Sequence, residues 1–254
     1  MELTAEQLAR FRRDGFLNAG PIFAAAEVDE IRAEYDRFVR SDAQTLGNDR
    51  DGRFPYRAML NFRSPKLRRY INHPELMGVV RQLVGDDVRF WWDQGINKLP
   101  GSGSPIPWHQ DNGYSPGRVP EYLTTWLALD DSDADNGGLF VIPGSHLGGQ
   151  REHVAWNEHW IVPDVDASAA VPLPARAGDT LLFSTLLLHQ TVGNRTENRQ
   201  RRAWVMQYAR ADAVNEVTGD DFQDRAWVIH SGTIVAEPYS ERRFDLRGNA
   251  NRES

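Results

Sequence analysis

From Val88 onward the chain is cut into short apolar runs by turn residues, and this punctuation limits its fold more than any other feature. The runs 88–92, 95–99, 123–129, 139–142, 180–183 and 203–208 have strand length and strand composition. Pro100-Gly101, Asn136-Gly137-Gly138, Pro143-Gly144 and Gly178-Asp179 mark turns between them. The residues before this region read differently. Thr4 to Gln7 fits a capping box, with Leu8 and Phe11 at helical spacing behind it. Val28, Ile31, Tyr35 and Phe38 form the stripe of an amphipathic helix. Pro74 opens another, with Leu76, Val80 and Leu83 on its face and Gly85 as its stop. Helices followed by many short strands predict an α+β chain with a mainly β core, a β-sandwich or jelly roll.

The expected organisation is one domain over 1–254. Residues 1–87 form a mainly helical flank, 88–210 the core with an insertion at 147–175, and 211–254 a C-terminal segment. Residues 41–65 read as a polar, mobile loop. Two stretches, 147–175 and 211–254, fit neither periodicity. Both carry aromatics (Trp156, Trp160, Trp227, Tyr239) among polar residues, as lids and binding loops often do.

Composition then excludes several classes of function. A net charge of −7 argues against a nucleic-acid partner, since phosphate binding calls for positive charge. No apolar run approaches bilayer length and the N-terminus lacks a signal core, so neither a membrane partner nor export is expected. A cytoplasmic chain acting on a small molecule follows by default. There is no cysteine, which removes disulfides, thiolate metal sites and cysteine nucleophiles together. Any metal must be held by His, Asp or Glu, and there are seven histidines to choose from.

Among them, His109 is followed two residues later by Asp111. On a strand, i and i+2 point to the same face, so both could reach one ion. Alone this pair is weak, and a surface His beside an Asp would explain it. His189, at the end of the apolar stretch that begins at Gly178-Asp179, supplies a third candidate ligand. Two histidines and one carboxylate on one face make the facial triad of non-haem Fe(II) oxygenases. Beyond it, Arg199-Gln200-Arg201-Arg202 runs into a strand, and a buried arginine there could clamp a carboxylate through two hydrogen bonds. Strand parity groups Arg201 with Ala203 and Val205 and puts Arg202 on the other face. A solvated turn would explain the cluster equally well.

Taken in order, Asn97-Lys98-Leu99-Pro100-Gly101, Trp108-His109-Gln110-Asp111, Trp126, Asn136-Gly137-Gly138, Val141-Ile142-Pro143-Gly144-Ser145-His146, Gly178-Asp179 and His189 resemble the phytanoyl-CoA dioxygenase family. Leu3-Thr4-x-Glu6-Gln7 and Arg13-Asp14-Gly15-Phe16 resemble that family's opening. The resemblance covers most of residues 1–210. It implies a double-stranded β-helix (a cupin-like jelly roll with flanking N-terminal helices) and an oxidoreductase using Fe(II), 2-oxoglutarate and O₂. It assigns His109, Asp111 and His189 to iron, and Trp126, Gln94, Thr191 and Asn97 to the cosubstrate region. It also implies an arginine for the distal carboxylate of 2-oxoglutarate, which falls on Arg201 if residues 194–200 hold a one-residue insertion; Arg199 and Arg202 are the alternatives. Arg57 lies near a further family position. His146 reads as a structural turn residue, while His153 and His159 could be surface residues or touch substrate.

The implied reaction is oxidative decarboxylation of 2-oxoglutarate to succinate and CO₂, coupled to oxidation of a small organic metabolite. Related halogenases place Ala or Gly at the position of Asp111, so the carboxylate here implies hydroxylation or a similar oxidation. Two other readings compete. One is a cupin-like metal dioxygenase or isomerase that does not use 2-oxoglutarate. The other is a jelly-roll binding module without catalysis. Substrate-lining candidates are 49–59, 156–162 and the segment near Trp227.

Overall fold

Thr4 starts the first helix as predicted: its hydroxyl accepts from the Gln7 N–H while the Gln7 side chain accepts from Thr4 N–H. This computed structural model describes residues 1–45, 56–102, 105–114, 121–157, 159–219 and 221–238. The helices are α1 (Ala5–Asp14), α2 (Ala25–Thr45), α3 (Leu60–Arg63), α4 (Pro65–Arg68) and α5 (Pro74–Val84). The strands are β1 (Phe16–Pro21), β2 (Tyr56–Ala58), β3 (Val88–Lys98), β4 (Ile106–His109), β5 (Leu123–Ala128), β6 (Leu139–Val141) and β7 (Val154–Trp156). They continue with β8 (His159–Ile161), β9 (Val171–Leu173), β10 (Asp179–Ser184), β11 (His189–Thr191), β12 (Arg201–Arg210), β13 (Trp227–His230) and β14 (Thr233–Ile234).

Two antiparallel sheets face each other in a jelly roll. The larger runs β1-β10-β5-β12-β3-β13-β14, with β2 also paired to β3; the smaller runs β4-β11-β6-β9. Cross-strand register fixes which side chains share a face. Gln94 and Trp126 both oppose Val205, Ile96 and Ala128 oppose Ala203, and Lys98 opposes Arg201. That set points between the sheets, where Trp126, Leu181, Phe183, Ala203 and Val205 meet Leu139, Val141 and Leu173 from the smaller sheet. The alternate set, with Leu127, Leu182, Trp204 and Met206, packs against the buried stripes of α2 and α5. Each fully buried aliphatic or aromatic side chain there contributes about 1.5–3 kcal/mol. At Gly95 the helix comes so close that a Cβ would lie 2.3 Å from the Tyr35 ring.

Several expectations need correction. The first 85 residues are not all helical, because Phe16–Pro21 and Tyr56–Ala58 are strands. Both pair with strands far away in sequence (Phe16 with Phe183, Arg57 with Gly95), and no local periodicity encodes such pairing. The runs 88–92 and 95–99 are one strand, which keeps its continuity by a bulge opposite Gln207 and Tyr208. Part of the insertion at 147–175 is regular: β7 and β8 form a hairpin, and β9 joins the smaller sheet. The expected loop at 41–65 is partly α2, β2 and α3, and its residues 46–55 lie outside the described residues. Among the described residues, no helix is long and apolar enough to cross a membrane.

Arg202 shows how the helical layer is fixed to the sheet. Its Nε and Nη2 donate to Asp130, and its Nη1 donates to both oxygens of Asp36 on α2. Arg202→Ala would leave Asp36 without this partner and Asp130 with the backbone N–H of residue 202 at 2.9 Å and a 3.9 Å contact to Arg32. The expected cost is about 2 kcal/mol, below the range for fully buried pairs because water reaches this one. It would be read as a lower urea midpoint with an unchanged slope.

Candidate metal and cosubstrate site

His109 and His189 are direct cross-strand partners on β4 and β11, so register alone puts them on one face. Their ring centroids are 4.1 Å apart. Each ring is held in the same way. Nδ1 of His109 donates to Pro107 O at 2.7 Å, and Nδ1 of His189 donates to Leu187 O at 3.0 Å. A carbonyl can only accept, so the proton sits on Nδ1 and each Nε2 keeps its lone pair. Burial, aided by the His189 ring, holds His109 well below the ordinary imidazole value, which keeps it neutral.

Both lone pairs face Asp111. Its Oδ1 lies 3.8 Å from His109 Nε2 and 3.5 Å from His189 Nε2. One ligand atom from each residue lies within 4.8 Å of the other two. Three acceptors aimed at one point repel one another unless a cation sits among them, so the donor set fits a metal ion. The expected strand geometry does not hold, because β4 ends at His109 and Asp111 begins a one-turn 3₁₀ helix (Asp111–Tyr114). Convergence comes from that turn and not from i, i+2 parity.

The second oxygen of Asp111 is occupied. Thr124 Oγ1 donates to Oδ2 at 2.6 Å, and Gln207 Nε2 donates to it at 2.9 Å. These two residues, on β5 and β12, stand in no motif that marks them in the sequence. Parity was the available signal: Thr124 is two before Trp126 and Gln207 six after Arg201, so both are polar residues at inward positions.

Between the sheets, one arginine is conspicuous by burial. Arg201 is completely enclosed; its Nη2 donates to Gly137 O, while Nε and Nη1 have no hydrogen-bond partner among the described residues. Its guanidinium carbon lies 5.5 Å from the centre of the Trp126 ring. Burial pushes its pKa down to about 10, since no carboxylate among the described residues pairs with it. Gly137 is part of the Asn-Gly-Gly turn. It has φ +91°, and a Cβ there would lie 2.7 Å from Lys98 Cδ. The other two arginines are accounted for: Arg199 pairs with Asp133 near the surface, and Arg202 binds Asp36 and Asp130 on the helix side.

The remaining candidates divide. Thr191 is buried two residues after His189, with its Oγ1 unpartnered among the described residues. Gln94 faces inward and accepts from Trp92 Nε1 at 3.2 Å. Asn97 is a correction. It opposes Arg202, so it turns towards the helical layer, where its Oδ1 accepts from Gln200. A one-residue step along a strand reverses the face, and that removes Asn97 from the site. Arg57, on β2, is buried. His146 is the expected turn residue, packed on Gly15 with Nε2 at 3.2 Å from Arg12 O. Trp227 carries the Arg89 guanidinium over its ring. Residues 49–55 and Tyr239 lie outside the described residues.

On the side of His109 away from the core, Tyr114 stands edge-on to the imidazole, ring centroids 5.5 Å apart, with its hydroxyl 3.3 Å from His159 Nδ1. His159 opposes Trp156 on the β7–β8 hairpin, and both Tyr114 and Trp156 are exposed.

Comparison with known proteins gives a consistent picture. The model of the phytanoyl-CoA dioxygenase (PhyH) family matches residues 11–203. Human peroxisomal phytanoyl-CoA dioxygenase is 29% identical over 235 residues, covering 83% of this chain and 69% of the human protein. Ectoine dioxygenase of Nocardia farcinica is 29% identical over 223 residues, covering 77% of this chain and 74% of that protein. Among solved structures, EvdO2 from Micromonospora carbonacea var. aurantiaca, complexed with 2-oxoglutarate, superposes with a TM-score of 0.71. At 23% identity over 87% of this chain and 96% of that one, the likeness is one of fold.

Proposed function

Since the chain belongs to the phytanoyl-CoA dioxygenase family, we propose that it is a non-haem iron oxygenase that uses 2-oxoglutarate and O₂ to hydroxylate a small organic molecule. His109, Asp111 and His189 hold the Fe(II), and Arg201 pairs with the distal carboxylate of 2-oxoglutarate. Trp126, Gln94 and Thr191 line the space between. When bound, iron supplies O₂ activation coupled to decarboxylation of the cosubstrate to succinate and CO₂.

The residues of this chain supply placement. Nδ1 bonds to backbone carbonyls aim both imidazoles. Thr124 and Gln207 occupy one oxygen of Asp111 and leave the other for the metal. His109, Asp111 and His189 would hold the metal with three ligands only, so that it stays open to small molecules. Substrate enters on the side of Tyr114 and His159, where exposed aromatic surface meets the metal face.

The triad alone would suit a cupin-like enzyme that does not use 2-oxoglutarate. The observation that carries cosubstrate use is Arg201, a wholly buried guanidinium facing the same interior as the triad, with two nitrogens that have no hydrogen-bond partner among the described residues. An unpaired buried cation is costly, and a carboxylate brought by a ligand offsets that cost. The test is anaerobic titration with Fe(II) and 2-oxoglutarate, separately and together. Only the pair should give a weak visible band, and air plus substrate should then release succinate. A protein that binds iron without that band belongs to the cupin-like alternative; one that binds no iron is a binding module.

A further inference from the structure

Residues 108–114, which carry two of the three metal ligands, are stitched to the chain segment 149–162. Gln110 lies between His109 and Asp111 and is fully buried. Its Nε2 donates to Gly149 O at 2.9 Å and to Leu186 O at 2.6 Å, and its Oε1 accepts from Arg151 N–H at 2.7 Å. Its backbone N–H donates to His153 Nε2 at 3.0 Å. His153 Nδ1 donates to Arg151 O at 2.9 Å, so Nε2 is the acceptor. The His153 ring lies against Gly113 so closely that a Cβ there would come within 2.1 Å of it. Further along, Val162 N–H donates to Trp108 O.

The metal loop needs such support. Gln110 falls between the end of β4 and the start of the 3₁₀ turn and belongs to neither. A single 3₁₀ turn has poor hydrogen-bond geometry and does not hold its own shape. Thr124 and Gln207 restrain the carboxylate of Asp111, but they do not restrain the backbone that carries it. We propose that His153 is a positioning residue for the metal centre. By taking the Gln110 N–H and bearing on Gly113, it fixes the turn that brings Asp111 Oδ1 opposite the two imidazoles. His153 and His159 then have separate tasks, the first on the metal loop and the second on Tyr114. The inference rests on the metal reading proposed above.

Metal binding can be tested without turnover. Co(II) would be titrated into purified wild type, His153→Phe and His153→Gln, followed by visible absorption, and the metal-free unfolding midpoint of each would be measured. His153→Phe keeps a ring against Gly113 and loses the acceptor; Co(II) affinity should fall on the order of 10–100-fold, as for other outer partners of metal ligands. Its metal-free midpoint should fall by less than the affinity loss corresponds to, because only one hydrogen bond is lost and the loop without metal is free to shift and expose the Gln110 N–H to water. His153→Gln, whose Oε1 can accept from Gln110 N–H, should recover most of the affinity. If His153→Phe does not fold, the smaller His153→Leu carries the same expectation. Wild-type affinity in the acceptor-less variant would overturn the proposal. So would an affinity loss matched by an equal loss of metal-free stability, or a Gln variant no better than Phe. A folded wild type that takes no Co(II) would instead remove the metal reading on which the proposal stands.

Discussion

Asp111→Ala is expected to abolish metal binding and all 2-oxoglutarate turnover while leaving the fold intact. Asp111 is the only anion in the triad, and both hydrogen bonds it accepts from Thr124 and Gln207 fall on Oδ2, which leaves Oδ1 for an ion. Without it, two neutral imidazoles must hold a dication by themselves. The loss should exceed the roughly 10–100-fold that removing an outer partner costs. In either role its removal strands the donors Thr124 Oγ1 and Gln207 Nε2 and lowers metal-free stability by about 1–3 kcal/mol. A purely structural carboxylate would lower stability in this way without changing metal binding. The two cases separate on one measurement, the thermal midpoint with and without added Fe(II) or Co(II). Wild type should rise when metal is added, because a ligand that binds only the folded state stabilises it. Asp111→Ala should show no rise. An undiminished metal-induced rise in the variant would show that Asp111 is not a ligand.

The chain discloses the inner face of the larger sheet better than its edges. Alternation along 201–205 correctly turns Arg201 inward and Arg202 outward, because side-chain direction in a strand depends only on parity. The same rule would have placed Thr124 and Gln207 beside the site and Asn97 away from it. Motif position points to Asn97 and passes over Thr124 and Gln207, because a family motif marks places along the chain and not the face of a strand. His109 and Asp111 converge, but through a turn that no hydrophobic period announces. β1 follows Gly15, whose left-handed conformation (φ +83°) ends α1, yet its identity as a strand comes from β10, more than 150 residues away. Long-range pairing of that kind is chosen by burial in the assembled sheet and leaves no mark on a local pattern. His153 is the clearest case. Nothing beside it in sequence distinguishes it from His159, and only the approach of 149–153 to the metal loop separates their roles.

Arg201→Met is expected to raise the 2-oxoglutarate requirement on the order of a few hundredfold, with metal affinity in the absence of cosubstrate unchanged. Removing one partner of a buried ion pair costs about 3–4 kcal/mol because the other charge stays buried and unpaired. Arg201→Lys should recover little, since an ammonium cannot present the planar fork of donors that a carboxylate accepts. Stability provides the sharper test of sign. In the free protein the Arg201 guanidinium is enclosed, and among the described residues it donates only to Gly137 O and no carboxylate pairs with it. An apolar side chain of similar length should therefore leave the free protein as stable as wild type or more so. Arg202→Ala, by contrast, breaks ion pairs already made and lowers stability without changing the cosubstrate requirement. Arg199→Ala removes a pair that is about 40% exposed at each end and should change neither quantity measurably. The three neighbouring arginines thus give three different outcomes in the same two assays. If Arg201→Met destabilises the free protein and spares 2-oxoglutarate binding, Arg201 is a structural residue and the cosubstrate carboxylate is held elsewhere.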